Sequence, residues 1–507
     1  MEPKYIVAVE IGSSLIKGAI GAVDELGTLK VLAVEQREAI DCVRYGCIQN
    51  VEEVRQVIAD IILSLEARVN IAPRKVKAVY VSLGGRSMAS YRRDLEISFD
   101  EETEITNDVI NQLLDEARLE QFADKEIVDV LPIGFMVDNL KQNNPNGTYG
   151  HNLKVALNII ACRPQIFKNL NRVIEEKLKL SINDYIVRQM AIAQLVLTSK
   201  EMQLGCVLVD FGAETTTVSI HKSGVLQSLV TIPLGSRNIT RDLASLSITE
   251  DHAEMVKCSY INANPQETAG GGQYTGIIDN VDDVEVLNLA QYRAGEIVAN
   301  ITAQIKDANY KASDLSGGIV VVGRGAKLAG FNTLLESYSS FKVRSGMIPT
   351  KIQIADNSIQ PTDVIDIVAI LYAATQSNQD AIVECMLTPV SPKEEVIEEE
   401  EIIEMSSNNS NSEPLSIENT PQDDENDADD NEDEMDEDDD DLNNRIKEDN
   451  KEIDEVAENK KVVSKKSPFA IGKKKGLFFY QAIKDKLNEL ISEQYDEFDD
   501  EEENDEK

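Results

Sequence analysis

The run KYIVAVEI at 4–11 alternates like a strand, breaks at Gly12-Ser13-Ser14, presents Lys17 just past the break and resumes as Gly-Ala-Ile at 18–20. Glu10 places a carboxylate two residues before the glycine. A hairpin needs only a turn. This one adds small hydroxyls, a backbone open to close approach and a cation. The pattern returns about 200 residues later: in CVLVDFGAETTTVSI an apolar strand again meets an acid-x-Gly turn, Asp210 and Gly212, and hydroxyls follow at Thr215 and Thr216. Either hairpin alone reads as an ordinary glycine turn. A third stretch weighs against that, because GGIVVVGRGAKLAGF at 317–331 sends an apolar strand into a turn at Gly323, Arg324 and Gly325 with a helical pattern behind it. That order offers backbone N–H groups and a helix N-terminus to a phosphate or nucleotide.

The elements that must position these turns are legible from periodicity. Strands are expected over 5–35, a helix over 51–69, and a buried strand over 76–83 that ends at Gly84-Gly85. Residues 84–162 carry a strand-and-helix set of their own, including NDVINQLLDEARL and LKVALNIIAC, and read as an inserted subdomain. A helix over 164–179, a strand near 184–187 and a helix at QMAIAQLVLTS follow, with Ala191 and Ala193 small enough for a close crossing. The recurrence of strand, turn and strand implies two related halves facing each other. TAGGGQYTG at 268–276 has no strand before it or helix after it and reads as a mobile loop.

The chain has 507 residues and a formal charge of −41, unevenly spread. Residues 391–507 hold 14 basic against 42 acidic side chains, a difference of −28, which leaves −13 on the first 390. A tract reading DDENDADDNEDEMDEDDDD repels itself and has little to bury, so a disordered appendage to a globular body is expected. No basic stripe is present to release counterions, so nucleic acid is not an expected partner. The cysteines Cys42, Cys47, Cys162, Cys206, Cys258 and Cys385 form no Cys-x-x-Cys pair, and His151, His221 and His252 are isolated. Neither a zinc site nor a disulfide framework is implied, and structural roles are expected for the histidines. No apolar run approaches the roughly 18 residues of a spanning helix, and nothing resembles a signal peptide, so a cytosolic protein is expected unless something lays it on a membrane.

Something does near the end of the chain. At 100° per residue, Phe479, Tyr480, Ile483, Leu487, Leu490 and Ile491 fall within about 120° on one helix face. Lys484 and Lys486 lie at the edges of that face, and five lysines stand just upstream. The alternative is docking on the body or on a partner's groove. A tether of roughly 80 residues makes self-docking costly in loop closure, and flanking lysines with aromatics at the entry fit a membrane interface better.

The three turns, taken in order, resemble the actin, heat-shock chaperone and sugar-kinase superfamily. Within it, the insertion after VYVSLGG, the stretch LVDFGAETTTVSI, the turn IPLGSRNITRDLA and the helix LAQYRAGEIVANITAQI resemble the FtsA family of bacterial cell-division proteins. The resemblance covers residues 5 to about 386 and the last segment. It implies an α/β, actin-like two-lobed fold with duplicated α/β domains around a nucleotide cleft. Residues 1–83 and 163–200 would form the first lobe, 84–162 the inserted subdomain and 201–388 the second lobe. A disordered acidic linker at 389–472, an amphipathic membrane-targeting helix at 473–495 and an acidic terminus at 496–507 complete the chain. The resemblance also implies ATP and Mg2+. Glu10, Gly12, Ser13, Ser14 and Lys17 would grip the phosphates from one side, and Asp210, Gly212, Thr215, Thr216 and Gly235 from the other. Gly323, Arg324 and Gly325 would take the adenosine. Glu254 and Lys257 would touch the ribose, or else form an exposed i,i+3 pair. Magnesium would be held through water by Glu10 and Asp210.

The implied role is an adaptor, peripheral on the cytoplasmic face of the membrane, that anchors FtsZ polymers and helps assemble the division septum. Its implied partners are the FtsZ C-terminal peptide, received near Arg293 and Glu296, other copies of itself in filaments, other division proteins and an anionic membrane surface. A pilus-assembly or shape-determining ATPase and a sugar or metabolite kinase on the same fold are the alternatives; the insertion site disfavours the shape-determining one and the membrane-seeking tail the kinase. Three departures from the superfamily pattern, Glu10 for Asp, Arg324 for Gly and Ser236 for the second Gly of its turn, imply ATP binding with weak or absent turnover. An extra methylene at Glu10 displaces a bound water by about an ångström, enough to cost on the order of a hundredfold in rate.

Overall fold

The computed structural model describes residues 4–386, apart from 25–26, 40, 70–74, 121, 123, 269–275, 280, 357 and 377–384. The acidic linker, the C-terminal helix and most of the glycine-rich 268–276 stretch lie outside the described residues.

The chain begins with β1 (Lys4–Ile11), β2 (Leu15–Val23) and β3 (Leu29–Glu38), the short hairpin β4 (Val43–Arg44) and β5 (Cys47–Ile48), α1 (Val51–Val69) and β6 (Ala78–Leu83). The insertion holds β7 (Ala89–Glu104), α2 (Asn107–Arg118), β8 (Glu126–Val137), β9 (Leu140–Gln142) and β10 (Tyr149–Cys162). Next come α3 (Pro164–Asn171), β11 (Ser181–Val187), α4 (Arg188–Val196) and α5 (Ser199–Leu204). The second half opens with β12 (Cys206–Phe211), β13 (Thr216–Lys222), β14 (Val225–Ile232), α6 (Ser236–Ala244), α7 (Glu250–Tyr260) and α8 (Pro265–Thr268). It ends with α9 (Asp283–Asp307), β15 (Ile319–Val322), α10 (Phe331–Ser339), β16 (Val343–Ser345), β17 (Gln353–Ile354) and α11 (Ile365–Gln376).

β1 and β2 are buried on both faces, as strands covered by helices on either side must be. α1 lays Val54, Ile58, Ile61, Ile62 and Leu65 against the sheet, while α11 buries Ile365 and every residue from Ile367 to Thr375 and leaves Asp366 and Gln376 half-buried. The Gly-Ala-Ile restart now has a cause. A Cβ at Gly18 would lie 2.4 Å from Ile61 Cγ2, and one at Gly21 would lie 2.7 Å from Leu29 Cδ1 and 3.5 Å from Leu371 Cδ1. β2 is small where its neighbours press upon it.

The first sheet runs β11-β6-β1-β2-β3-β17 and the second runs β16-β15-β12-β13-β14-β7-β10-β8-β9. β6 is parallel to β1, and β1, β2 and β3 are antiparallel; β15, β12, β13 and β14 repeat that order and those directions. The duplication therefore extends past the hairpins to four consecutive strands of each sheet. The insertion continues the second sheet through Ala89 beside Val230, with Ser90 Oγ accepting from Leu229 N at 2.8 Å.

Three elements differ from expectation. The 164–179 helix tightens only to Asn171 and passes into a wider π-type turn over 172–177. The helix from 189 stops at Val196, because Leu197 turns extended and Thr198 opens α5 with a reciprocal cap to Glu201. After β15 the chain makes a 3-10 turn at Arg324–Lys327, and α10 starts only after Gly330 in the left-handed region.

Candidate functional site

In the antiparallel β1–β2 pair Glu10 stands opposite Lys17, and both are buried, at 2% and 3% exposure. Neither serves the Gly12-Ser13-Ser14 turn. Lys17 Nζ donates to Asp366 Oδ2 at 2.5 Å and to the Asp363 carbonyl at 2.8 Å, at the approach to α11. Glu10 Oε1 accepts from Arg188 Nη1 at 2.9 Å, and the same guanidinium reaches Asp210 Oδ2 through Nη2 at 3.1 Å. One arginine thus bridges the acids that precede the two glycine turns. Burial, reinforced by the Asp366 charge, pushes Glu10 up to about 7 against the pull of Arg188 and Lys17. Burial raises Asp210 too, opposed by Arg188. Burial alone would lower the Arg188 pKa, but the Asp210 and Glu10 charges more than offset it, so the guanidinium stays charged.

The second turn carries an acid at its tip. Glu214, 1% exposed, accepts from the backbone N–H of Tyr45 at 2.7 Å, from Arg241 Nη2 at 2.7 Å and from Arg237 Nη1 at 3.4 Å. Tyr45 and Gly46 are the two central residues of the β4–β5 hairpin, with φ of 48° and 74°, the left-handed pair of a type I′ turn. That turn points its N–H groups at both glycine turns, since Gly46 N donates to Ser13 Oγ at 2.8 Å. Arg237 Nη1 also reaches the Ser13 carbonyl at 3.4 Å. Among the hydroxyls expected to face phosphate, Ser13 is therefore engaged by Gly46, and Thr216 Oγ1 donates to the Leu234 carbonyl at 2.7 Å.

The glycines allow close approach, but of chain to chain. A Cβ at Gly12 would lie 2.9 Å from Leu15 O, at Gly212 2.8 Å from Thr215 O, and at Gly235 2.2 Å from Ala213 O. At Gly323, φ 89°, it would lie 2.4 Å from Phe211 O, and at Gly325 2.8 Å from the Phe211 ring. Arg324 is exposed at the surface of that turn. Lys257 is buried and donates to Glu254 Oε2 at 2.6 Å, Thr240 Oγ1 at 2.9 Å and the Ser236 carbonyl at 3.2 Å. Lys257 thus ties α7 to α6 from a buried position, while its partner Glu254 stays exposed. Arg293 holds Asp242 at 2.6 and 3.1 Å and Glu296 at 2.5 Å, joining α9 to α6. His221 is buried beside Ser219, and burial pulls its pKa down to about 4.

Two sets of expected site residues hold partners within the chain. Lys17 is spent on Asp366 and Asp363, not on a phosphate, because its register on β2 directs it to the α11 end. Glu10 and Asp210 share the Arg188 guanidinium at the place where the resemblance implies magnesium held through water. Among the described residues no three His, Cys, Asp or Glu side chains gather to hold a metal ion. The cavity lined by Lys17, Asp210, Gly323, Arg324, Asp363 and Asp366 measures about 10 Å³, room for about one water. As paired here, Lys17 is held by Asp366 and Asp363, and Glu10 and Asp210 share Arg188. The decisive side chains that sequence reasoning missed are Arg188, Glu214, Arg237, Arg241 and the Tyr45-Gly46 turn. Glu214 was open to discovery, a carboxylate inside a turn that phosphate should occupy.

Two family models match the chain. One, "Cell division protein FtsA", covers residues 207–361, and the other, "SHS2 domain inserted in FTSA", covers residues 85–161. The cell division protein FtsA of Porphyromonas gingivalis is 29% identical over 402 residues, which span 76% of this chain and 82% of that protein. Its counterpart in Staphylococcus epidermidis is 27% identical over 411 residues, spanning 76% of this chain and 85% of its own. Among solved structures, the PilM-PilN type IV pilus biogenesis complex superposes with a TM-score of 0.53 at 13% identity, covering 75% of this chain and 98% of that one. At that identity the likeness speaks for the fold alone. The fold is actin-like, duplicated over four consecutive strands of each sheet and carrying the inserted domain in its first half. The chain belongs to the FtsA family of cell-division proteins.

Proposed function

We propose that the chain couples FtsZ polymers to the cytoplasmic face of the cell membrane and does so without turning over ATP. The observation that carries the coupling role is the joint match of one chain to the FtsA model and to the domain inserted in that family. The absence of turnover follows from the acids of the cleft: Glu10 and Asp210 are both committed to Arg188, so neither is free to orient a water or hold a metal. The same commitment argues against a metabolite kinase, which needs a free carboxylate facing its substrate.

In this account the FtsZ C-terminal peptide is received on the α9 side of the second half. Tyr292 stands 76% exposed on that helix and Val284 lies two turns before it on the same face, beside the Arg293–Asp242 tie. Residues 473–495, beyond the described residues, form the membrane anchor. Six apolar side chains half immersed contribute on the order of 1 kcal/mol each, and nearby lysines about 1 kcal/mol each at an anionic leaflet. The acidic run at 496–506 opposes them, so one tail binds weakly and firm attachment needs several tails joined in a filament. Co-sedimentation with FtsZ and flotation with anionic vesicles test the role together. The full chain should do both, and a form ending near Ser467 should keep FtsZ and lose the vesicles. Equal flotation of the shortened form would make the helix a docking element instead.

A further inference from the structure

We propose that the cleft is closed by the chain's own charges, with Arg188 standing where a divalent cation would stand and Glu214 where a phosphate would, so that the two halves are clasped without a magnesium nucleotide. Arg188 opens α4 on the first half, yet one arm of its guanidinium reaches Asp210 on β12 of the second. The other arm holds Glu10 on β1. The planar fork suits this role, since its two terminal nitrogens serve two carboxylates at once and its charge is not lost at any working pH. Gly84 lies against it, since a Cβ there would sit in ordinary van der Waals contact with the guanidinium carbon at 3.6 Å.

Glu214 mirrors this arrangement with the opposite sign. It belongs to the second half but takes its backbone donor from Tyr45 of the first, and it is covered by Arg237 and Arg241. Arg237 then returns to the Ser13 carbonyl of the first turn. Glu10, Asp210 and Glu214 meet Arg188, Arg237 and Arg241, and Lys17 beside them is paired with Asp366, so each of these acids has a cation of the chain itself for a partner. An entering phosphate would stand against the Glu214 carboxylate, and an entering divalent cation against the Arg188 guanidinium.

The test is thermal unfolding of the full chain in EDTA, in millimolar MgCl2, in ATP with EDTA, and in MgCl2 with ATP. The wild type should melt within about 1 °C in all four, because a ligand at a hundredfold excess over its Kd raises the midpoint by several degrees. Arg188→Ala should melt lower in EDTA and gain a Mg2+- or Mn2+-dependent rise, since it frees two buried carboxylates for a cation. Arg188→Lys, which keeps the charge but is shorter and replaces two separate terminal nitrogens by one, should lie between and carries the test if the alanine variant does not fold. A wild-type rise of more than about 3 °C that needs both Mg2+ and ATP overturns the proposal. Folded variants that ignore divalent cations overturn the assignment of Arg188. If neither variant folds, the wild-type comparison decides alone.

Discussion

In both hairpin turns the glycine N–H donates to a carbonyl three residues on, at 3.0 Å from Gly12 to Leu15 and at 2.9 Å from Gly212 to Thr215, and a Cβ at either glycine would strike that same carbonyl. The flanking strands pair in the same register, Glu10 opposite Lys17 and Asp210 opposite Thr217. The tips then diverge: Ser13-Ser14 in the first become Ala213-Glu214 in the second. Two turns that grip one anion would carry donors on both sides. Here the first presents a hydroxyl and a carbonyl, the second an acid, and arginines fill the space between. A duplicated backbone thus records common geometry, while the side chains decide whether the two halves close on a ligand or on each other.

Breaking the comparison at its shared point should cost most. Arg188→Ala leaves Glu10 and Asp210 buried without their common partner, and urea unfolding should show a loss of about 3–5 kcal/mol. Glu214→Gln keeps the shape and removes only the charge of the second turn, so about 1–3 kcal/mol is expected in the same measurement. If Glu214→Gln costs as much as Arg188→Ala, the two turns contribute alike and the distinction drawn between them fails.

The halves should also differ in their response to pH. Glu10 in the first half moves from 4.5 unfolded to about 7 folded, so the folded state holds its proton more tightly. Its stabilisation is present below pH 4.5 and is lost as pH rises through 7. His221 in the second half moves the other way, from 6.5 to about 4. Its contribution is present above pH 6.5 and is lost as pH falls towards 4. Unfolding free energy measured from pH 4 to 8 should lose its alkaline fall in Glu10→Gln and its acid fall in His221→Gln. A slope left unchanged by either substitution would reassign it to another group.

The smallest effect belongs to the outer surface. Tyr292→Ala should change stability by less than about 0.5 kcal/mol, yet lower the affinity for an FtsZ C-terminal peptide in anisotropy titrations. Unchanged affinity would move the receiving surface away from α9.

Much of this was legible in the sequence. α1 falls on the expected 51–69, and the repeat of strand, turn and strand foretold two sheets of one design, because both are written in local periodicity. Charge pairing was not. Arg188 lies 178 positions from Glu10, and nothing beside it in sequence says which acid it will meet. Lys17 looked like a phosphate ligand because its register fixes only the face it occupies, and the partner on that face comes from α11, some 350 residues later. Lys257 looked exposed at i,i+3 spacing until α6 covered it. The glycines were placed correctly as points of close approach, but sequence could not tell a ligand from a neighbouring strand.

The most direct test of the clasp is a calorimetric titration of ATP with Mg2+ into the full-length protein at neutral pH. Arg188 between Glu10 and Asp210, with Glu214 already held by Tyr45, Arg237 and Arg241, predicts no saturable heat up to about 1 mM nucleotide, an interaction weaker than about −4 kcal/mol. A one-to-one isotherm with a Kd in the micromolar range, abolished by EDTA, would contradict it.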